Sequence, residues 1–255
     1  MAAWYRADIP IVKGYDLLAA MSAGDGLSIR TAFNLTDANL DSDATRIPDY
    51  MFYKNLNVEE INLTKITEVG SNSFYQCPYI KKIYLPNCTL LKSSAFIGSS
   101  RSQTGLSNFT IYLPKVVTIQ DSALREMSGA GITCTLTLSK CETLQSNAIR
   151  GASGRYFVIN KLNLPKIVSI GQECLSYHQI TTVDIGDTCT SIASKPFNGG
   201  TIGTLICRAT TPPSLHANGL GCTPTHIYVP TDSVATYQGA SNWSAYASII
   251  EAIPT

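Results

Sequence analysis

Ile83-Tyr84-Leu85-Pro86-Asn87-Cys88-Thr89-Leu90-Leu91-Lys92-Ser93-Ser94-Ala95-Phe96 sets the pattern that most of the chain repeats. An alternating strand (Ile83, Leu85) runs into a Leu-Pro turn, and two apolar anchors follow at Cys88 and Leu91. The unit closes on a small residue beside a large apolar one, Ala95-Phe96. The same offsets occur from Leu63, with Ile66, Val69 and Ser73-Phe74. They recur from Leu113 (Val116, Ile119, Ala123-Leu124), from Leu138 (Cys141, Leu144, Ala148-Ile149) and from Leu164 (Ile167, Ile170, Cys174-Leu175). A copy from Ile185 slips by one residue to Cys189, Ile192 and Phe197, and Ile47 with Phe52 repeats the closing step before the first full copy. A unit of about 22 to 28 residues cannot bury its own apolar face, so units must stack on one another and the period predicts a solenoid.

The strand of each copy reads apolar-x-apolar: Ile61 and Leu63, Ile83 and Leu85, Ile111 and Leu113, Leu136 and Leu138, Leu162 and Leu164, Val183 and Ile185, Leu205 and Cys207, Ile227 and Val229. Period-two alternation turns both apolar residues inward and the middle one outward. Stacked in register, about eight short strands form a parallel ladder at about 4.8 Å spacing. Pro86, Pro114, Pro165 and Pro230 directly follow strands, where a residue without an N–H marks the exit from the ladder. The small-large step suits a short turn or helical turn on the opposite side. The expected fold is an α/β-type repeat solenoid over 46–231. Residues 1–45 form an N-terminal cap or attachment segment, with a short helix expected over Tyr15 to Met21. Residues 232–255 form a helical C-terminal cap, in which Asp232 N-caps a helix, Val234 pairs with Tyr237, and Tyr246 shares a helical face with Ile249 and Ile250.

Composition narrows the function. Apolar residues make up 44% of the 255, enough for a core, while charged residues make up only 15%, well below the usual quarter. Surface polarity therefore comes from Ser, Thr, Asn and Gln, a tendency of secreted or particle-borne proteins. A net charge of +1 gives no overall electrostatic case for nucleic acid or an anionic membrane. No apolar run is long enough to span a bilayer. The first residues, Met1 to Pro10, lack the apolar core of a signal peptide. The expectation from this is a protein that stays where it is made, leaves by assembly into a particle, or has been trimmed. The cysteines fall on inward positions: Cys88, Cys141 and Cys189 on the first anchor, Cys174 on the small slot, Cys207 on a strand. That distribution predicts buried thiols. Without a C-x-x-C pair, and with only His178, His216 and His226 scattered along the chain, no metal or cofactor is expected.

The copies resemble the BspA-type leucine-rich repeats of surface proteins of gut and oral bacteria and of proteins of their phages. The resemblance rests on Ile83-Tyr84-Leu85-Pro86 with Leu91 and Ala95-Phe96, and on Ile111-Tyr112-Leu113-Pro114 with Ile119 and Ala123-Leu124. It extends to the ending, Ala209-Thr210-Thr211-Pro212-Pro213, Ile227-Tyr228-Val229-Pro230, Tyr237 and Trp243, and covers about residues 46–250. It implies a leucine-rich-repeat stack used as a scaffold for adhesion, coaggregation and matrix binding, with no catalytic residues to carry over.

Few motifs in the chain carry chemistry. Gly24-Asp25-Gly26 lacks the Gly-Lys-Ser/Thr of a phosphate loop, and Asp37, Asp41 and Asp43 lack calcium-loop spacing. Glu59-Glu60 would point to opposite faces of a strand, which argues against paired acids for glycoside chemistry. What remains is the outward face of the ladder. Its expected ligand residues are Lys82, Tyr84, Tyr112, Thr137, Lys161, Asn163, Asp184 and Tyr228. Exposed tyrosine offers contact area and a hydroxyl at low entropic cost. The expected function is non-enzymatic binding of a host-surface glycan or protein, with the chain displayed on a phage virion. Trp4, Tyr5, Ile9 and Ile11 would attach it to other virion proteins or to a second copy. A bacterial cell-surface adhesin is the alternative, and a carbohydrate-active enzyme, which would need two converging carboxylates, stands third.

Overall fold

The computed structural model describes residues 33–40, 43–100, 106–127 and 129–254. Two parallel sheets run the length of the solenoid. The long sheet stacks ten strands: β1 (Phe33–Thr36), β3 (Val58–Asn62), β5 (Lys82–Tyr84), β7 (Asn108–Tyr112), β9 (Ala130–Thr137), β11 (Tyr156–Leu164), β13 (Gln179–Ile185), β15 (Thr201–Cys207), β17 (His226–Val229) and β18 (Ile250–Ala252). Its register is the one the repeat dictates. Ile61, Ile83, Ile111 and Leu136 pair in succession, as do Leu162, Val183, Leu205, Ile227 and Ile250. All of these side chains are buried.

The eight even-numbered strands from β2 to β16 form a second sheet that the alternation did not announce. They are β2 (Arg46–Ile47), β4 (Glu68–Val69), β6 (Leu90–Leu91), β8 (Thr118–Ile119), β10 (Thr143–Leu144), β12 (Ser169–Ile170), β14 (Ser191–Ile192) and β16 (Ser214–Leu215). Each contains the second apolar anchor, which points inward from a strand of only two residues. The core lies between the two sheets and a corner built from the closing step. There the rings of Phe52, Phe74 and Phe96 stack at 5.0 and 4.9 Å, and Leu124, Ile149, Leu175 and Phe197 continue the buried column. The corner is a tight turn carrying left-handed residues, Asn72, Ser94, Ser122 and Asn147 among them, with φ between 55° and 61°. Short polar side chains tolerate that backbone by bonding locally.

The long strands carry a bulge that strict alternation does not anticipate. In β3, β11, β13 and β15 two consecutive residues face outward between inward neighbours: Glu59-Glu60, Asn160-Lys161, Thr181-Thr182 and Gly203-Thr204. Neighbouring coils share the feature, so the register is the same on either side of it, Ile159↔Ile180 and Lys161↔Thr182. A Cβ on Gly203 would sit 2.7 Å from the Thr181 carbonyl oxygen, so the bulged strands approach this closely only because that residue is glycine.

Both ends depart from the expected boundaries of the ladder. β1 lies within the 1–45 segment and pairs in parallel with β3. The region of the expected Tyr15–Met21 helix is outside the described residues. At the other end the α-helix Val234–Gly239 (α1) buries Tyr237. Asp232 does not cap it; it sits inside a 3-10 turn, Thr231–Ser233, that leads into α1. Residues Ser244–Ile249 form a second 3-10 stretch, and Ile250 opens β18 instead of joining a helical face with Tyr246 and Ile249. Side chains of this tail take the place of a further coil for the last backbone groups. Asn242 Nδ2 donates to the Leu215 carbonyl at 2.7 Å, Trp243 Nε1 to Pro213 at 2.8 Å and the Tyr237 hydroxyl to Ala209 at 2.9 Å. Buried carbonyls at a solenoid end need such partners, since leaving each unpaired costs about 1–3 kcal/mol.

Candidate functional site

The outward face of the long sheet is built by the residues between the buried apolar pairs. Register gathers them into two blocks: Asn62, Tyr84, Tyr112 and Thr137 pair in turn, and so do Asn163, Asp184, Ile206 and Tyr228. Tyr84 and Tyr112 stack with centroids 4.8 Å apart and planes 6° from parallel, and Lys82 Nζ stands 6.0 Å from the Tyr84 centroid. Both rings are half-buried, so each offers an edge and a hydroxyl more than an open face. Thr137 lies beside Tyr112. At the far end Tyr228 stacks on His226 at 5.6 Å.

Lys161, Asn163 and Asp184 are brought together; Lys161 and Asn163 are exposed, while the carboxylate between them is buried. Asp184 is only 4% exposed. Its carboxylate accepts a two-pronged pair of bonds from Arg208, Nε at 2.7 Å and Nη2 at 3.0 Å, and Lys161 Nζ lies 3.5 Å away. Burial by itself would raise the Asp184 pKa. The Arg208 hydrogen bonds and charge, with help from Lys161, outweigh it and hold the carboxyl below its ordinary value. Asp184 is therefore an internally satisfied anion that orders the two cations around it. Arg208 follows β15 in the turn of the next coil, which is why the strand alternation did not bring it forward.

The cysteines lie where their positions predicted. All eight are free and seven are buried, Cys222 being half-buried. Burial pushes the thiols of Cys77, Cys88, Cys134 and Cys141 up to about 12. Among the described residues no group of His, Cys, Asp and Glu could hold a metal ion. Glu59 and Glu60 stand on the same side of the sheet at the β3 bulge, contrary to the alternation, and Lys81 gathers both, at 2.9 and 3.7 Å. Trp4, Tyr5, Ile9 and Ile11 lie outside the described residues.

A second aromatic group went unread in the sequence. Tyr53 and Tyr75 stack at 5.1 Å on the corner beside the phenylalanine column, and Tyr50 lies 5.8 Å from Tyr53. Tyr50 is 60% exposed and left-handed at φ 61°, at a corner position where other coils place Asn, Ser, Glu or Lys. The signal was available: Phe52-Tyr53 and Phe74-Tyr75 occupy equivalent steps of successive copies.

An in-register parallel stack with two sheets, a buried corner column and a sealing tail is a leucine-rich-repeat solenoid, a class that works through the surfaces its coils present. The chain belongs to the BspA-type leucine-rich-repeat family. The family profile described as BspA type Leucine rich repeat region matches residues 29–103 and 100–203, in 6 copies. No curated protein sequence matches the chain. A scaffold of this family points to a protein-binding or adhesion role and is typical of non-enzymatic binding proteins. No helix among the described residues is long and apolar enough to cross a membrane.

Proposed function

We propose that this chain is a non-enzymatic adhesion protein, carried on a phage virion, whose long sheet presents its outward face to a host-surface glycan or protein. The observation that carries the reading is the Tyr84–Tyr112 pair, stacked at 4.8 Å on that face. Around it the surface is rich in hydroxyls, with Thr110, Thr135 and Thr137 in the same registered block. Neutral hydroxyls beside aromatic edges suit a sugar or a polar protein surface, and many copies on one particle convert modest site affinity into firm attachment. The low charge content is in keeping with a particle-borne protein. Trp4, Tyr5, Ile9 and Ile11 are the anchoring residues in this reading, toward other virion proteins or a second copy.

The test is the double variant Tyr84→Ala/Tyr112→Ala, assayed on a glycan array and on host cells after circular dichroism confirms the fold. The expected result is an unchanged spectrum with binding reduced about tenfold or more. Binding equal to that of the unmodified protein rejects the face. Removal of residues 1–32, which leaves β1 in place, should abolish incorporation into particles without unfolding the solenoid. Normal incorporation rejects the anchor.

A further inference from the structure

One edge of the solenoid carries a row that neither the repeat nor the adhesion face explains. The connection from the long to the short sheet places one residue per coil two positions after the last inward leucine of each strand. In successive coils that residue is Lys65, Asn87, Lys115, Lys140 and Lys166. The alignment is fixed by register. Glu68, Leu90, Thr118, Thr143 and Ser169 are paired neighbours in the short sheet, and each row residue stands three positions before one of them. The loops also touch: Asn87 Nδ2 donates to the Thr64 carbonyl at 2.7 Å, and Lys115 Nζ donates to Asn87 Oδ1 at 2.7 Å. All four lysines are exposed. At about 4.8 Å per coil the row spans about 19 Å.

Like charges on neighbouring strands repel. A chain with only 19 basic residues and a net charge of +1 has aligned four of them in five coils, three of these consecutive. The fold does not need a charge there, since all four lysines are exposed and one coil fills the position with the neutral, half-buried Asn87. Such a local conflict marks a functional surface. Beside the first part of the row runs a groove of about 540 Å3 lined by Thr45, Thr64, Thr67 and Thr89, with Asp43 at its margin. Acids near the row are exposed Asp43, which lines the groove, and exposed Asp187, which stands two positions after Ile185 in the coil that follows Lys166. The Asp37 carboxylate is engaged by the backbone N–H of Thr64 at 2.9 Å, and exposed Glu142 follows two residues after Lys140.

We propose that this row and its groove bind an acidic polysaccharide, with carboxylate or sulfate groups along the lysines and sugar hydroxyls against the threonines. Charge complementarity selects a linear polyanion. No aromatic ring occupies the row positions to stack a base, which favours a sugar polymer over a nucleic acid. The site lies on a different edge from Tyr84 and Tyr112 and does not depend on them.

Polygalacturonate, heparin, neutral dextran and single-stranded DNA of matched charge are the probes, with affinity followed against salt. The intact protein should bind polygalacturonate or heparin and not dextran; a carboxylate or sulfate preference distinguishes the two sources. Lys140→Gln/Lys166→Gln should weaken this binding about tenfold at low salt and lower the slope of log affinity against log salt by about 1.5, from about 0.7–0.9 per lysine. The charge-matched control Lys54→Gln/Lys195→Gln, off the row, should bind as the intact protein does. The proposal is overturned by no binding of either acidic polymer, by equal loss in the off-row control, by retention in Lys140→Gln/Lys166→Gln, or by DNA competing as well as the polysaccharide.

Discussion

Acid should loosen this solenoid through one residue. His178 is 2% exposed, and its ring stacks on Phe157 at 5.5 Å. Its two polar contacts are both backbone groups. Nδ1 accepts the Phe157 N–H at 3.0 Å, so the proton sits on Nε2, which donates to the Ile149 carbonyl. Packing around the residue is close. A Cβ on Gly151 would come within 3.1 Å of His178 Cε1, and one on Gly200 within 2.4 Å of the His178 carbonyl oxygen. Burial pulls the pKa from its ordinary 6.5 down to about 4, an effect the Ile149 carbonyl only partly offsets. A histidine whose pKa falls on folding stabilises the protein fully above the unfolded value and loses that contribution as pH drops toward the folded one. Here the window runs from about 6.5 to about 4. At about 1.36 kcal/mol per pKa unit the loss reaches about 3 kcal/mol. Asp184, whose pKa is depressed, keeps its contribution above the ordinary carboxylate value and loses it only at lower pH, outside this window.

The assay is urea unfolding across pH 7 to 4 on the intact protein and on His178→Gln, whose amide can accept and donate in the same two directions without titrating. The variant should be less stable at pH 7, having lost the ring packing, but its stability should change about 3 kcal/mol less over the window. Parallel curves for the two proteins, or an intact protein indifferent to pH between 6.5 and 4, would refute the reasoning.

Phe74 is fully buried between Phe52 and Phe96, so Phe74→Ala should cost about 3–5 kcal/mol in urea unfolding. Phe74→Leu should cost about 1–2 kcal/mol, because Leu124 and Leu175 already occupy that column in other coils; an alanine cost under 1 kcal/mol contradicts the stacked corner. Thiol labelling of the folded protein should proceed first at half-buried Cys222, whose thiol burial still raises to about 11, with the other seven reacting only on unfolding. Rapid labelling of several cysteines in native conditions contradicts the packing.

The interior was readable because it repeats. Ile83, Leu85, Cys88, Leu91 and Phe96 each meet the same neighbours in every coil, so one copy confirms the next. The second sheet was not readable, since Glu68-Val69 is too short to show alternation. The bulge hid for a related reason: an inward pair three apart, such as Val58 and Ile61, looks like helical spacing as readily as an interrupted strand. β18 was lost to the same ambiguity, Ile249 and Ile250 reading as a continuation of Tyr246. At the site, sequence placed Tyr84 beside Tyr112 correctly. It could not show that Asp184 is consumed by Arg208, because that partner comes from a turn 24 residues on.

What constrains the inside frees the outside, and that asymmetry locates function in such a fold. An inward position answers to packing, and its residues are drawn from Leu, Ile, Val, Cys and Phe, with Ala, Ser or Cys at the small slot. An outward position answers only to its neighbours in the adjoining coils, so by default its column should drift. Two stretches within such columns stand out against that default. Tyr84 and Tyr112 spend aromatic area where the core gains little, and Lys115, Lys140 and Lys166 accept mutual repulsion where Asn87 shows that a neutral residue fits. If the stack were stabilised by these columns, replacing them would lower the unfolding midpoint. If they serve partners, the midpoint should hold while binding falls, and the two columns should fail independently because they lie on different edges of the coil.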